Sequence, residues 1–401
     1  MKKIFVRFYA SLVVFHINLV KVSIAMNVGI QETDHFEGVY PVIRLFDNGH
    51  NQLFIFVNQL TYTRLIDLLG PDAGKFHWII QEEKESSFSF CLKIRKAIIE
   101  HHIRLLYLNT VSKHHLWYAL ILPFGKTSRS ILTVHDVNCL FRDKPGLSPR
   151  KMIKYLGKKL LTARVQSFNT VAETVKPYLL KVSGGSKEVF TIPGAVYENQ
   201  PVGIPPYDHI NIAIPGSIDN KRRNYPVVFE LANMLKGLPV TITLLGGGDN
   251  EFARNIWNQC RDSISANLVW FETKIVDQHI FDEILDLAHF IWIPSVIHTT
   301  ICGKIPETYG ITKSSGNIFD IVKHAKPFIY PASLQVPGIL KKAGYSYGSV
   351  EDIRKLIIHS LQNPGSYEEL ATAAREASGN FTVENLRKQF APLFDQVPGN
   401  V

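Results

Sequence analysis

The sequence predicts an α/β protein made of two Rossmann-like, doubly wound domains that face each other across a cleft, followed by carboxyl-terminal helices. From Met26 onward, short apolar runs rich in β-branched and aromatic residues alternate with amphipathic stretches, which is typical of parallel βα units. A proline-rich segment without periodicity, residues 196–208, divides the series in two. The composition, 46% apolar and 20% charged, excludes a largely disordered chain and a polytopic membrane protein.

The spacing of apolar residues predicts the individual elements. In the first domain, after a first strand that precedes Asp34, it predicts strands at 53–57, 76–80, 103–108, 131–134, 165–168 and 189–192, and helices at 61–69, 88–101, 114–122, 149–162 and 172–182. In the second domain it predicts strands at 210–214, 241–245, 268–271, 290–293 and 328–330, and helices at 225–235, 251–263, 278–287 and 315–324. Closing helices are predicted at 350–361, 367–377 and 383–394.

The composition breaks predict the domain boundaries. We expect a first domain at 26–200 that binds the acceptor, a linker at 201–209, a second domain at 210–380 that binds a nucleotide, and a helix and tail at 381–401. Residues 1–25 are basic and then apolar, but His16, Asn18 and Lys21 interrupt the apolar run. They are interpreted as an upstream extension, a cleaved signal or a surface anchor.

The charge is unevenly distributed. Residues 1–200 hold 26 basic and 15 acidic residues, and the remainder holds 18 and 20. The basic half predicts an anionic partner such as a membrane surface, a nucleic acid or a phosphorylated substrate. Four cysteines without CxxC or metal-knuckle spacing predict reduced thiols and a cytoplasmic protein: Cys91, Cys139, Cys260 and Cys302.

The segment 306–331 carries the strongest local signal. Gly310 is followed by small and polar residues, 312–316, that open a predicted helix. A helix start offers unpaired N–H groups and a partial positive charge, so it suits a diphosphate. Lys313 would add a point charge, and Glu307 would accept hydrogen bonds from ligand hydroxyls. The alternative is a capped surface helix with solvated charges.

Two glycine turns follow predicted strands of the second domain. Gly216 precedes Lys221, Arg222 and Arg223, and three adjacent cations at a strand's carboxyl end suit phosphate oxygens or form a solvated surface. Gly246 begins a three-glycine turn that admits a ligand or a neighbouring backbone, or is a plain tight turn. Neither GxGxxG nor GxxxxGK[ST] is present, which argues against a dinucleotide fingerprint and a P-loop.

The candidate residues of the first domain follow its strands. His135 and Asp136 come directly after the strand 131–134, where a histidine would orient a substrate or exchange protons, or be satisfied by neighbouring carbonyls. The loop Asp34 to Gly38 is a weaker candidate for the same cleft. His114 and His115 lack partners at metal-ligand spacing, so no metal site is predicted.

Residues 150–164 form a basic amphipathic segment. Arg150, Lys154 and Lys158 recur at four-residue steps with Lys151 beside them. Such a helix rests on anionic lipid or holds a lipid-phosphate acceptor. The alternative is a core-packed helix with a solvated basic face. Nucleic acid is not predicted, because no aromatic-interleaved basic platform accompanies the segment.

With these motifs, the chain resembles the retaining, nucleotide-sugar-dependent glycosyltransferases of the GT-B fold, the group-1 or family-4 class. In that family a glycine loop after the first strand of the second domain carries basic residues for the donor diphosphate. Gly216 matches the glycine, and Lys221 or Arg222 matches the second basic position. Ser217 stands where the family often has its first arginine.

The family's later signature is a glutamate followed by an aromatic-glycine step at a helix start, with a second glutamate eight residues after the first. Glu307, Tyr309 and Gly310 match its opening, and the resemblance implies that the amides of Ile311, Thr312 and Lys313 contact the donor. Ser315 occupies the place of the second glutamate. The pair His135-Asp136 resembles the family's cleft histidine near the donor sugar.

The resemblance implies transfer of a sugar from a UDP- or GDP-sugar to an acceptor hydroxyl, with retention of configuration and without a bound metal or other cofactor. The acceptor would be a saccharide or a lipid-linked saccharide in polysaccharide biosynthesis, at the inner face of the membrane. Two alternatives stay open: a nucleotide-sugar epimerase of the same fold, and a non-catalytic protein that binds sugar nucleotides or a membrane surface.

Overall fold

The computed structural model describes residues 25–122, 128–198, 205–263, 267–300 and 304–394. Several predictions lie wholly or partly outside these ranges: the segment 1–25 apart from its last residue, residues 199–200 of the predicted first domain, the linker residues 201–204, the thiol of Cys302, and residues 395–401 of the predicted tail.

The first domain is built on a seven-stranded parallel sheet with the order β3-β2-β1-β4-β5-β6-β7. Val28 of β1 pairs with Leu53 on one side and Leu105 on the other, which sets the register at the centre. Helices cover both faces, so nearly all residues of the central strands β1, β4 and β5 are buried. The strands are β1 (Asn27–Glu32), β2 (Gln52–Asn58), β3 (His77–Gln81), β4 (Leu105–Leu108), β5 (Arg129–Thr133), β6 (Ser167–Asn169) and β7 (Glu188–Phe190).

Three helices of this domain begin where the sequence supplies a capping side chain. The side chains of Asn58, Ser86 and Ser148 accept backbone N–H groups of the first turn of α2, α3 and α6. Short 3₁₀ turns at Gly70–Lys75 and Glu173–Val175 complete the connections. The helices are α1 (Phe36–Phe46), α2 (Gln59–Leu69), α3 (Ser87–Glu100), α4 (His115–Ile121), α5 (Val137–Phe141), α6 (Pro149–Arg164) and α7 (Lys176–Ser183).

The second domain has a six-stranded parallel sheet, β10-β9-β8-β11-β14-β15, and an antiparallel hairpin, β12-β13. Its strands are β8 (Ile210–Pro215), β9 (Val240–Leu245), β10 (Leu268–Trp270), β11 (Phe290–Trp292), β12 (His298–Thr299), β13 (Glu307–Thr308), β14 (Phe328–Pro331) and β15 (Gly344–Tyr347). A 3₁₀ turn lies at Gly338–Ala343. Its helices are α8 (Tyr225–Met234), α9 (Glu251–Asp262), α10 (Gln278–Leu287), α11 (Asn317–His324), α12 (Val350–Gln362) and α13 (Pro364–Gly379).

Two hydrophobic layers sandwich the first sheet. The residues buried on one face come from α3, α4, α6 and α7, and those on the other come from α1, α2 and the carboxyl-terminal segment. Large side chains such as Phe56 and Tyr107 are fully buried, and burying a side chain of this kind contributes about 2–3 kcal/mol. The outer surfaces of α3, α4 and α6 therefore all point away from the same face of the sheet.

The chain returns to the first domain at its end. Helix α14 (Val383–Gln389) packs on α1, and Arg387 donates to the carbonyl oxygens of Arg44 at 2.7 Å, Leu45 at 2.9 Å and Asp47. A last short helix, α15 (Ala391–Phe394), follows. Because the tail docks on the first domain, the two domains are connected both through the linker region and through this helix.

The predicted fold class is confirmed: both domains are Rossmann-like with parallel sheets. Several predicted elements were wrong in detail. Strand β15 and the hairpin β12-β13 were not predicted, because they are short and partly polar. Helix α1 begins at Phe36, inside the stretch that was expected to be a loop. The helices expected at 172–182 and 383–394 are each broken into two pieces.

Candidate functional site

The turn after β8 surrounds a buried cation. Gly216 adopts a φ of 98°, and its N–H bonds to the carbonyl oxygen of Leu245 at 2.8 Å. The guanidinium of Arg223 lies against this turn and donates to the carbonyl oxygens of Ser217, at 2.8 Å, and Pro215. Among the described residues no carboxylate forms an ion pair with Arg223. Burial lowers the pKa of Arg223, but an arginine remains charged.

The two neighbouring cations point elsewhere. Lys221 and Arg222 are exposed, and Arg222 pairs with Asp219 at 3.3 Å. The resemblance assigned the second basic position to Lys221 or Arg222, and that role stays a prediction. The buried Arg223 was named only as part of the cluster. Sequence spacing did not distinguish the three cations, because their orientation depends on contacts with Pro215 and Ser217.

Gly246 lies beside the same turn. A side chain at this position would collide with the carbonyl group of Gly216. The three-glycine turn therefore lets the backbone after β9 approach the backbone after β8. This close approach accounts for the glycine without a ligand, and the donor-binding role of Gly246 stays a prediction.

The Gly310 turn is closed on itself. Gly310 has a φ of 81°, and its N–H bonds to the carbonyl oxygen of Lys313 at 2.8 Å. The N–H groups of Ile311, Thr312 and Lys313 all bond to the carbonyl oxygen of Thr308, at 3.1, 2.9 and 3.2 Å. In this conformation the three amides are engaged within the protein, contrary to the expectation that they are free for a donor.

The unengaged amides lie just before α11. The N–H groups of Ser315 and Gly316 have no acceptor among the described residues, whereas Ser314 adjoins the antiparallel bridge between Asp136 and Lys313. Ser315 is buried, and its hydroxyl is 3.5 Å from the Oδ1 atom of Asn317. Helix α11 begins at Asn317 rather than at residue 315. The partial positive charge of this helix start is therefore directed toward Ser315 and Gly316.

The two turns meet. The Nδ2 atom of Asn317 donates to the carbonyl oxygen of Pro215 at 2.8 Å, so the start of α11 touches the turn after β8. Arg223 and Ser295 form an isolated antiparallel bridge, which joins the loop after β11 to the same place. Backbone donors, a buried guanidinium and a helix start thus converge at the carboxyl edge of the second sheet. Asp320 of α11 lies nearby, and burial raises its pKa to about 6.

Glu307 lies on strand β13, not at a helix start as predicted. Its side chain is buried, and its Oε1 atom accepts the backbone N–H of Cys139 from α5 of the first domain at 2.7 Å. Its Oε2 atom is buried without a hydrogen-bond partner in the described structure. Burial raises the pKa of Glu307 to about 7. The carboxyl group is therefore poised to gain or lose a proton near neutral pH.

His135 follows β5 on the facing side of the cleft. Its Nε2 atom is 3.1 Å from the hydroxyl of Thr110 and 3.2 Å from the carbonyl oxygen of Asn109. Burial lowers the pKa of His135 to about 4, so the imidazole is neutral at physiological pH. The ring of His35 lies 6.0 Å away, centroid to centroid. The structure thus places His135 and the loop Asp34 to Gly38 beside each other, in the one cleft where the sequence predicted both.

Sequence reasoning missed Glu32. This carboxylate is fully buried at the end of β1 and accepts the backbone N–H groups of Asp34 at 2.6 Å and His35 at 2.9 Å. The Nδ2 atom of Asn109 donates to it at 2.7 Å. Burial raises the pKa of Glu32 to about 7. The sequence did contain a signal for this residue, namely a glutamate at the end of an apolar strand.

Gly38, predicted on the acceptor side, lies in the first turn of α1 near Asn109.

The domains contact each other directly at this site. The ammonium group of Lys313 forms an ion pair with Asp136, and the N–H of Val137 donates to the carbonyl oxygen of Thr312 at 2.9 Å. Lys313 was predicted to contact phosphate, and that role stays a prediction. In this conformation its charge is matched by Asp136.

The side chain of Lys158 points into the first domain and not into solvent. Its Nζ atom donates to the carbonyl oxygen of Cys139 at 2.6 Å and to Asp143 at 2.6 Å, and the side chain is buried. The prediction that Lys158 lies on an acceptor or membrane face was wrong. Arg150, Lys151 and Lys154 are exposed.

Known structures share this architecture, the GT-B fold. Sucrose-phosphate synthase from Thermosynechococcus elongatus is 14% identical, with a TM-score of 0.60 over 92% of this chain and 98% of that one. HepE of Anabaena, solved in complex with UDP and glucose, is 12% identical, with a TM-score of 0.63 over 93% and 100%. A putative UDP-N-acetylglucosamine 2-epimerase from Listeria monocytogenes is 11% identical, with a TM-score of 0.54 over 92% and 97%.

At this level of identity the comparisons establish the fold alone. No protein-family model matches the sequence, and no curated protein matches it significantly. In the part of the chain that the structure describes, no helix combines the length and apolar character needed to cross a bilayer. Within the same ranges, no three His, Cys, Asp or Glu side chains are grouped to hold a metal ion.

Proposed function

We propose that the protein is a glycosyltransferase that moves a sugar from a nucleoside-diphosphate sugar to an acceptor hydroxyl with retention of configuration. The observation that carries this proposal is the convergence at Gly216. There, Arg223 is a buried cation without an ion-pair partner in the described structure, and Asn317 brings a helix start to the same turn. A diphosphate supplies the anion that such a site lacks.

The donor would lie at the carboxyl edge of the second sheet. Its diphosphate oxygens would accept hydrogen bonds from the amides of Ser315 and Gly316 and interact with the charge of Arg223. UDP- and GDP-sugars both carry this diphosphate. In the proposal these groups stabilise the leaving diphosphate without a bound metal or other cofactor.

The sugar end of the donor would reach the facing pair, Glu307 and His135. Glu307, with its pKa near neutrality, would hold the sugar hydroxyls, and neutral His135 would accept or donate a hydrogen bond at the same ring. In the reaction the bond between the anomeric carbon and the diphosphate oxygen breaks. The acceptor oxygen bonds to that carbon from the same side, and its proton passes to the departing diphosphate. The acceptor, a saccharide or a lipid-linked saccharide, would approach from the first domain.

Donor binding provides the first test. UDP- and GDP-sugars are titrated while the melting temperature is followed, since a ligand at a hundred times its Kd adds about 2.7 kcal/mol to stability. We expect one nucleotide series to shift the melt. If no nucleoside diphosphate does so, the proposal fails.

Turnover provides the second test. Glu307→Ala should abolish sugar transfer, measured by mass spectrometry of a panel of lipid-linked and free saccharide acceptors, while the donor still shifts the melt. The matched control is Glu230→Ala, an exposed glutamate on α8. Unchanged transfer in the Glu307 variant would contradict the assigned role. A wild type that binds donor but never turns over is a non-catalytic binding protein, a function that the serine at position 315 also fits.

An epimerase is the second candidate, and one observation favours it. Titratable groups cluster in the cleft: His35 and His135 lie 6.0 Å apart, and Glu37 of α1 interacts electrostatically with Asp320 of α11. Such a cluster suits proton transfers at a sugar carbon. Incubating donor without acceptor separates the two functions. An epimerase converts the sugar nucleotide to its epimer, seen by NMR, whereas a transferase leaves its configuration unchanged.

A further inference from the structure

Helix α6 and the residue that leads into it expose an unusual amount of apolar surface. Leu147 is fully exposed, and the exposed fractions of Met152, Ile153 and Leu156 are 40%, 52% and 52%. The sequence alone allowed these helix residues to pack into the core. The structure instead buries Gly157 and Leu161 of α6, packs Leu160 partly against the core, and leaves Met152, Ile153 and Leu156 exposed.

The same surface is strongly cationic. The helix contains six basic and no acidic residues. Arg150, Lys151, Lys154 and Lys159 are exposed, and none of them forms an ion pair within the described structure. Lys158, which pairs with Asp143, is the lysine that points inward.

Neighbouring helices extend this surface. Helix α6 approaches α4 closely at Gly157, where a side chain would collide with the backbone of Leu116. Helix α4 exposes Leu120, and α3 exposes Phe88 and Leu92. The ring of Phe88 packs edge-on against Trp117 of α4 at 4.9 Å. All three helices cover one face of the first sheet, so these apolar side chains project from the same side of the domain.

We propose that this surface docks on an anionic lipid bilayer. The basic apolar face, defined as Leu147, Met152, Ile153 and Leu156 with Arg150, Lys151, Lys154 and Lys159, would insert its apolar side chains between headgroups. Its cations would pair with lipid phosphates. Charge complementarity selects an anionic partner, and the interspersed apolar side chains select a bilayer over a soluble polyanion. This inference does not depend on the proposed transferase activity.

The inner edge of the same helix touches the candidate site. Lys158 bonds to the carbonyl oxygen of Cys139, and the N–H of Cys139 bonds to Glu307. A protein resting on this face would hold its cleft close to the membrane surface. A lipid-linked acceptor would then need to extend only a short way from the bilayer.

The test is flotation of the full chain with vesicles of equal parts phosphatidylglycerol and phosphatidylcholine, against vesicles of phosphatidylcholine alone. We expect binding to the anionic vesicles only, weakened by salt. The triple variant Arg150→Glu, Lys151→Glu, Lys154→Glu should bind at least about 100-fold more weakly. The triple variant Met152→Ser, Ile153→Ser, Leu156→Ser should bind about tenfold more weakly.

Matched controls lie in the second domain. Val269→Ser, Ile275→Ser, Leu287→Ser removes exposed apolar side chains, and Lys236→Glu, Lys341→Glu, Lys342→Glu reverses exposed charges. Both controls should bind vesicles like the wild type, and melting curves verify that every variant is folded. Residues 1–25 are the same in all variants, so they cannot cause a difference between them.

Three results would overturn the proposal: no preference of the wild type for anionic vesicles, wild-type binding by the serine variant, or wild-type binding by the glutamate variant. Loss of binding in the glutamate variant together with full binding in the serine variant would indicate a soluble polyanion as the partner instead. Donor-induced melting shifts are measured without vesicles, so failure of the docking surface is distinguishable from failure of the proposed function.

Discussion

Lys158 and Arg223 are both buried cations, one in each domain, and their surroundings differ. Lys158 has the carboxylate of Asp143 at 2.6 Å and the carbonyl oxygen of Cys139 at the same distance. Arg223 has only the carbonyl oxygens of Pro215 and Ser217 within hydrogen-bond distance in the described structure. Lys158 therefore has a carboxylate in direct contact, whereas the described structure gives Arg223 no direct ion pair and only a longer-range interaction with Asp320.

This difference indicates that the two buried cations have different roles. A buried cation with a direct carboxylate partner is part of the fold, because removing either partner leaves the other charge buried and unpaired. A buried cation without a direct carboxylate contact is costly to the folded protein, and an anionic ligand in contact with it would reduce that cost. Lys313 is intermediate, since its partner Asp136 belongs to the opposite domain. The comparison predicts that replacing Lys158 lowers stability and that replacing Arg223 weakens the binding of the proposed donor.

The largest expected effect is on stability. Lys158→Ala should lower the free energy of unfolding by about 4 kcal/mol, because Asp143 and the carbonyl of Cys139 lose their partner. Urea denaturation measures this loss. The exposed neighbour Lys159 is the control, and Lys159→Ala should change stability by less than about 0.5 kcal/mol. If Lys158→Ala lowers the free energy of unfolding no more than Lys159→Ala does, the contrast between Lys158 and Arg223 fails.

Arg223→Gln should instead act on binding. The glutamine keeps a donor near the turn but removes the charge, so the affinity for the nucleoside diphosphate that binds the wild type should fall about 100-fold. Isothermal titration measures this loss. Arg261→Gln removes an exposed arginine that pairs with Glu272 and should leave the affinity unchanged. Equal affinities for wild type and Arg223→Gln would show that the uncompensated charge does not serve the ligand.

Glu307 connects the surroundings of Lys158 to the candidate site. Its carboxylate accepts the N–H of Cys139, and the carbonyl oxygen of Cys139 accepts a hydrogen bond from Lys158. Its pKa is raised from 4.5 to about 7, so folding favours the protonated form. That contribution to stability is fully present below about pH 4.5 and is lost as the pH rises through about 7. Between about pH 5 and 8, wild type should lose about 2 kcal/mol more than Glu307→Gln. Parallel pH profiles of the two proteins, measured by denaturation without ligand, would contradict the raised pKa.

The smallest effect concerns Lys313. Asp136→Asn removes the counter-charge and leaves the ammonium group free to interact with a diphosphate, so donor affinity should rise about threefold at low salt. The gain should shrink as salt is added, because the interaction is partly exposed to solvent. An affinity that falls in this variant would mean that the Asp136–Lys313 contact helps to form the site. Asp262→Asn, at the exposed end of α9, is the control.

Long apolar runs were easy to predict, and short elements were not. Strand β4 is apolar along its whole length and β2 over its five central residues, so their sequences admit few other structures. Strand β15, Gly344–Tyr347, has a glycine, two tyrosines and a serine, and it becomes a strand because it pairs with β14. The two-residue strands of the hairpin have no local signal at all. Pairing with a distant partner decides such segments.

The misplacement of Lys158 has a geometric cause. Arg150, Lys154 and Lys158 recur at four-residue steps, but an α-helix has about 3.6 residues per turn, so each step rotates the side chain by about 40°. Over two steps the direction changes by about 80°, enough to turn Lys158 from the exposed side of α6 toward Asp143. Sequence periodicity predicts which side of a helix is basic. Whether a residue at the border of that side is exposed or buried depends on what the helix packs against.

By itself, the sequence determined the two Rossmann-like domains, most of their strands and helices, and the glycine turns at positions 216, 246 and 310, because these follow from interactions between residues close together in the chain. Only the tertiary structure decided which cation is buried at Gly216, that Glu307 faces Cys139, and that Met152, Ile153 and Leu156 remain in solvent. Such contacts join segments far apart in sequence, and the residue types alone do not specify which distant groups will meet.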